Sequence, residues 1–102
     1  MVEWALKGEG HAFDWDKANA KKCQKHGISI AEIESLFASV SIVYPDLKHS
    51  DAEARYSAIG RTSTGRGAFV VFTFRERDGM RLIRPISARY MHKEEINYYE
   101  SL

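Results

Sequence analysis

The chain holds little that assigns a class directly, and each shortage excludes something. A single cysteine, Cys23, permits no internal disulfide, which agrees with a reducing compartment. Two prolines and seven glycines are too few for a linker or a low-complexity tail. No apolar run approaches the roughly 18 to 20 residues that span a bilayer, and MVEWALKGEG lacks the basic and apolar regions of a signal peptide, so a cytoplasmic location is expected. A net charge of +1 is low for a generic reader of duplex DNA. The histidines at 11, 26, 49 and 92 have no metal-ligand spacing, and Cys23-x-x-His26 is half of a site. No G-x-S-x-G elbow occurs. Neither a metal, a cofactor nor a covalent nucleophile is expected.

What is present suits one compact domain over residues 1–102. The 102 residues are 44% hydrophobic and 12% aromatic, enough to bury one core. Residues 1–10 are poorly specified. Asp16 can cap a helix from Lys17 through His26 that stops at Gly27, and its few apolar residues predict a surface position. Ser29 and Glu32 have capping-box spacing, Ile28 and Ile33 staple spacing, and Ile30, Ile33, Leu36 and Phe37 form a helical stripe. After Ser39 the period becomes extended. SIVYP reads as a short strand, PDLKHSDAE as a polar loop, RYSAIGRT as a strand, AFVVFTF as a central strand, and Asp78-Gly79 as a hairpin leading into RLIRPISARY. Lys93 to Leu102 reads as a last helix with Ile96 and Tyr99 on one side. The expected fold is α+β: a small antiparallel sheet with two N-terminal helices and a C-terminal helix.

Charge type is segregated. All eight arginines lie after residue 50, and every lysine except Lys93 lies before it. Arginine offers a planar fork suited to phosphate, whereas lysine offers a point charge. A solvated sheet surface also accounts for such a run. GRTSTGRG carries phosphate-loop glycines but has Arg66 where lysine is required and no helix after it, so a hairpin turn explains it better. Lys25-His26-Gly27 reads either as a helix C-terminus or as a proton-transfer site beside a cation. His49 reads most simply as a solvated turn residue.

RLIRPISARY poses a harder question. Alternation places Arg84 on one side with Leu82, Ile86 and Ala88, and sends Arg89 to the other. Pro85 cannot donate to a ladder, so an edge or bulge there would shift the register between the two arginines.

The order F-D-W-D-K-A-N-A (13–20), K-H-G-I-S (25–29), P-D-L-K-H-S (45–50), E-A-R-Y-S-A-I-G-R (53–61) and R-P-I-S-A-R (84–89), followed by Glu95 and Tyr99, resembles the BrnT family of toxins in BrnT/BrnA toxin–antitoxin systems. The resemblance covers about residues 12–100. Lys17 stands where proline is common in the family, and His92 where a Ser or Thr cap is usual.

The resemblance implies a RelE-like fold and an endoribonuclease that acts without metal and inhibits translation. It further implies neutralisation by a BrnA-type antitoxin, in a heterotetramer of two toxins and two antitoxins that reaches operator DNA only through the antitoxin. Cleavage would proceed by attack of the RNA's own 2′-hydroxyl. On this basis His26 is expected to move the proton and Lys25, Arg61 and Arg84 to hold the phosphate. Arg89, Glu53, Arg55 and His49 are expected to support the site or bind RNA. Arg84 is expected to be partly buried beside Arg61, held by a carboxylate, near the end of the first helix. A non-catalytic module binding nucleic acid or an acidic partner, or a degenerate toxin acting only as co-repressor, is the competing reading.

Overall fold

A computed structural model of the chain describes residues 12–46 and 53–102. Helices α1 (Lys17–Cys23) and α2 (Ile30–Leu36) come first. Strands β1 (Val40–Pro45), β2 (Tyr56–Arg61), β3 (Gly67–Arg77) and β4 (Met80–Tyr90) follow, and α3 (Lys93–Glu100) closes the chain. The strands form one antiparallel sheet in the order β1-β2-β3-β4, so AFVVFTF does lie on an interior strand. The α+β class and the sequence of elements agree with the expectation.

Local chemistry explains the boundaries. Asp16 accepts the Asn19 N–H at 3.0 Å while the Asn19 side chain accepts the Asp16 N–H at 2.7 Å, a reciprocal cap at the start of α1. The α-helix ends at Cys23, earlier than expected. The turn over residues 24–26 closes with Lys25 N–H to Lys22 O and Gly27 N–H to Gln24 O, the tighter pattern that satisfies terminal carbonyls. Gly27 follows at φ +91°. Ser29 caps α2 by accepting the Glu32 N–H at 3.1 Å, and its hydroxyl reaches back to the Glu32 carboxylate at 3.4 Å. Asp78 and Gly79 both take positive φ, as a two-residue hairpin of right-handed twist requires.

The sheet is covered unequally. On one face Val43, Ala58, Val70, Phe72, Ile83 and Ala88 pack with Cys23, Ile28, Ile33, Leu36 and Phe37 in the main core. Fully burying a large apolar side chain contributes about 1.5–3 kcal/mol, so this layer supplies most of the stability. On the other face α3 buries Ile59, Met91 and Ile96 near one end only. The chain around Phe13 pairs with the outer edge of β4, Asp14 N–H to Ile83 O at 2.8 Å and Ile83 N–H to Ala12 O at 2.9 Å, and so covers an edge that would otherwise be open.

Candidate functional site

The sheet face that α3 leaves partly open gathers the arginines. In β3, Phe69, Val71, Thr73, Arg75 and Arg77 share that face. Arg84 pairs with Thr73 and Arg89 with Phe69, so both belong to the same face although five positions separate them. The cause is the expected bulge. Val71 pairs with Ser87 and Phe72 with Pro85, which leaves Ile86 as an extra residue and flips the parity of the strand.

Arg84 is 17% exposed and held from behind. It donates to Asp14 at 3.1 Å and to Asp16 at 2.9 Å. These bonds use two of its five N–H donors, and the fork's orientation is set before any ligand arrives. Burial works against the charge, but Asp16 and Asp14 more than offset it, so the guanidinium pKa lies above its ordinary value. Asp16 is held below the usual carboxylate range, first by the Asn19 N–H and then by Arg84. Asp14, 2% exposed, is also ion-paired with Arg77 at 2.9 Å.

A cleft of about 250 Å³ opens beside this group, with Lys22, Arg55, Arg75 and Arg84 on its walls and Glu53 as its one acidic lining residue. Lys22, Arg55 and Ile86 also border a second hollow of about 430 Å³ over the bare part of the sheet. Four cationic side chains from α1, β3, β4 and the segment before β2 therefore converge, an arrangement suited to a polyanion.

The expected site residues separate into groups. Arg84 and Arg55 line the cleft, with Glu53 beside them, but Glu53 pairs with Arg75. Arg61 is not beside Arg84. It pairs with Gly67, six positions along β3 from Thr73, about 20 Å of strand. There it forms a two-point bond with Glu100 of α3, at 2.8 and 2.7 Å, which raises its own pKa and lowers that of the carboxylate. Arg89 leans on Glu95 at 3.3 Å and over the Phe69 ring at 5.3 Å. Lys25 and His26 are exposed in the turn after α1 and line neither cleft, whereas Lys22, one turn earlier, lines both. His49 falls among residues 47–52, outside the described residues.

Several participants are ones that the sequence reading does not assign to the site. Asp14 and Asp16 carry Arg84, and Lys22 and Arg75 complete the cleft. Lys22 precedes Lys25 and His26 at the spacing of helical neighbours, which was the available signal. Among the described residues no group of three or more His, Cys, Asp or Glu stands together as metal ligands do.

The opposite face holds a polar hub with a bracing role. Glu32 accepts from Tyr90 at 2.7 Å, from Thr62 at 3.2 Å and from Thr64 at 3.1 Å. The Tyr90 bond is the largest cause holding Glu32 below the ordinary carboxylate range. Arg66 lies 3.5 Å over the Tyr90 ring. GRTSTGRG is thereby fixed as a turn, with Thr62 N–H to Arg66 O at 2.9 Å, as its glycine pattern without a following helix implied.

Comparison with known proteins gives one family. A family model described as the ribonuclease toxin BrnT of type II toxin–antitoxin systems matches residues 15–95, which covers α1 through the first turn of α3. No curated protein matches the chain.

Proposed function

The chain belongs to the BrnT family of ribonuclease toxins of type II toxin–antitoxin systems, and from that premise we propose that it cuts RNA without a metal, holding the backbone across the cationic open face of its sheet. The observation that carries this reading is the Arg84 fork, fixed by Asp14 and Asp16 at the wall of a cleft shared with Lys22, Arg55 and Arg75.

The proposed reaction uses the nucleophile that RNA itself carries. The 2′-oxygen attacks the adjacent phosphorus, its proton passes to a base, the bond from phosphorus to the 5′-oxygen breaks, and that oxygen takes up a proton. The products are a 2′,3′-cyclic phosphate and a 5′-hydroxyl. His26 is the proposed proton-transfer group, with Lys25 beside it and Arg84 on the phosphate, where preorganised donors act on the developing charge. Lys22, Arg55 and Arg75 hold flanking phosphates. Arg61 and Arg89, tied to Glu100 and Glu95, serve at the far end of the same face as supporting contacts.

Translation stops as cytoplasmic RNA is cut, and a BrnA-type antitoxin neutralises the chain, two of each in a complex that reaches operator DNA through the antitoxin alone. One observation favours a second, non-catalytic reading. Lys25 and His26 complete a helix-terminal turn and lie outside both clefts. Induction in bacteria tests the toxin reading. Growth should stop, and coexpression of the adjacent reading frame should restore it; unaffected growth with folded protein present contradicts the proposal.

A further inference from the structure

The larger hollow asks for an explanation that phosphate binding does not supply. Its floor is apolar, formed by Phe69, Val71 and Ile86, each only partly buried, on a sheet whose other face carries the main core. An interior strand covered on both sides would bury such residues completely. Here α3 covers only part of the face: its cluster with Ile59 and Met91 reaches Phe69 and Tyr44 at its margin and does not include Val71 or Ile86.

The strand register crosses this floor in a straight row. Tyr44 pairs with Ser57, Ser57 with Val71, and Val71 with Ser87, one residue from each of the four strands. Adjacent strands lie about 4.8 Å apart, so hydroxyls stand about 5 Å to either side of the Val71 side chain, with an aromatic ring beyond one of them. Burial first, and then the neighbouring Tyr99, keep the Tyr44 phenol above its ordinary pKa, so it stays neutral. An apolar floor with a few convergent polar groups and one aromatic ring in its wall is the composition of a small-ligand pocket.

Position identifies the ligand class. Lys22 and Arg55 form a wall shared with the cleft that contains Arg84, with Asp46 as the hollow's one acidic lining residue, so what enters the hollow lies beside the place where that cleft takes an anion. Proteins that hold single-stranded RNA splay its bases onto aromatic rings while cations track the backbone. We propose that the hollow floored by Phe69, Val71 and Ile86 and walled by Tyr44 and Ser87 seats one nucleobase of the bound RNA, next to the phosphate gripped by Lys22 and Arg55. The inference rests on the nuclease reading for the identity of the polymer and adds to it a determinant of which nucleotide is held.

The test uses the full chain and short 2′-fluoro oligoribonucleotides, which lack the attacking hydroxyl, each with one abasic position. Fluorescence anisotropy should find a single position where loss of the base weakens binding by about 5- to 100-fold, the range of one base–aromatic stack. In Tyr44→Ala that penalty should shrink to about 2-fold, because the two changes remove the same contact. Ser87→Ala should alter which base is preferred without altering affinity for the abasic oligonucleotide.

Penalties that are small and uniform at every position of the wild-type chain would overturn the subsite, whether or not Tyr44→Ala folds. Weakened antitoxin binding in Tyr44→Ala with no abasic penalty would overturn it too, giving the hollow to a protein partner. Failure of the nuclease reading shows separately: the same oligonucleotides with ordinary ribose would remain intact, while the binding scan still decides the subsite.

Discussion

Arg84 donates to Asp14 at 3.1 Å across seventy positions of chain, joining the outer edge of the sheet to the segment that leads into α1. The carboxylate is 2% exposed and ion-paired with Arg77 as well, so removing Arg84 leaves it with one cation and underpaired. Arg84→Ala should cost about 1.5–3 kcal/mol in urea denaturation, the range for hydrogen bonds to charged groups. RNA cleavage should fall about 10²- to 10³-fold, as for loss of a preorganised donor. Arg84→Lys should recover part of the stability but little of the rate, since an ammonium cannot reproduce a fork held by two carboxylates. Full recovery of the rate in the lysine variant would count against the geometric role.

Arg61 provides the contrast. Its partner Glu100 lies on α3 and both side chains are substantially exposed, at 42% and 33%. Exposed pairs contribute little to stability. Arg61→Ala should leave the denaturation midpoint nearly unchanged and reduce cleavage less than Arg84→Ala does. Glu100→Gln should release the guanidinium and steepen the salt dependence of RNA binding, because one more cation becomes able to meet phosphate. Salt titrations of the two variants check this; a larger rate loss in Arg61→Ala than in Arg84→Ala would reverse the ranking.

Stability should fall in acid. Glu32 is held below the ordinary carboxylate range mainly by the Tyr90 hydroxyl, Asp16 by the Asn19 N–H and Arg84, Glu95 by the His92 N–H and Arg89, and Glu100 by Arg61. A lowered folded-state pKa stabilises above the unfolded value, about 4, and that contribution disappears as pH falls through the folded value. The melting temperature should therefore hold between about pH 5 and 7 and drop below about pH 4. Glu32→Gln should flatten this drop. Tyr90 runs the other way: its pKa is raised, first by the bond to Glu32, so its contribution is present below about pH 10 and lost at higher pH.

The docking of α3 depends on Gly67. A β-carbon there would stand 2.6 Å from Cβ of Ile96, too close for a branched side chain to yield. Gly67→Ala should destabilise by about 1–3 kcal/mol through overpacking. Ile96→Ala in the same chain should recover part of the loss, a coupling that a double-mutant cycle measures. Additive losses would place the strain elsewhere.

Local signals were legible in the sequence. Asp16, Ser29 and Asp78-Gly79 mark the boundaries that they were expected to mark. Pro85 announces both the edge strand and the bulge that turns Arg84 and Arg89 to one face. Distance in the sheet was harder to read. Arg61 and Arg84 look adjacent when strands are set side by side, but the two hairpins fix a register that sets their β3 partners six positions apart. The capture of Arg61 by Glu100 and of Arg84 by Asp14 are long-range pairings, and no local pattern encodes which carboxylate an arginine will meet. The end of α1 was misjudged because lysines and a histidine suit a helix terminus and a tight turn equally well.

The most direct measurement is the fate of excess RNA incubated with the purified chain in EDTA, followed to the chemistry of its new ends. The account predicts many cuts per molecule of protein, each leaving a 2′,3′-cyclic phosphate and a 5′-hydroxyl, and a rate about 10²- to 10⁴-fold lower in folded His26→Ala. RNA that shifts in mobility but stays whole, or a His26→Ala chain that cuts as fast as the wild type, would contradict it.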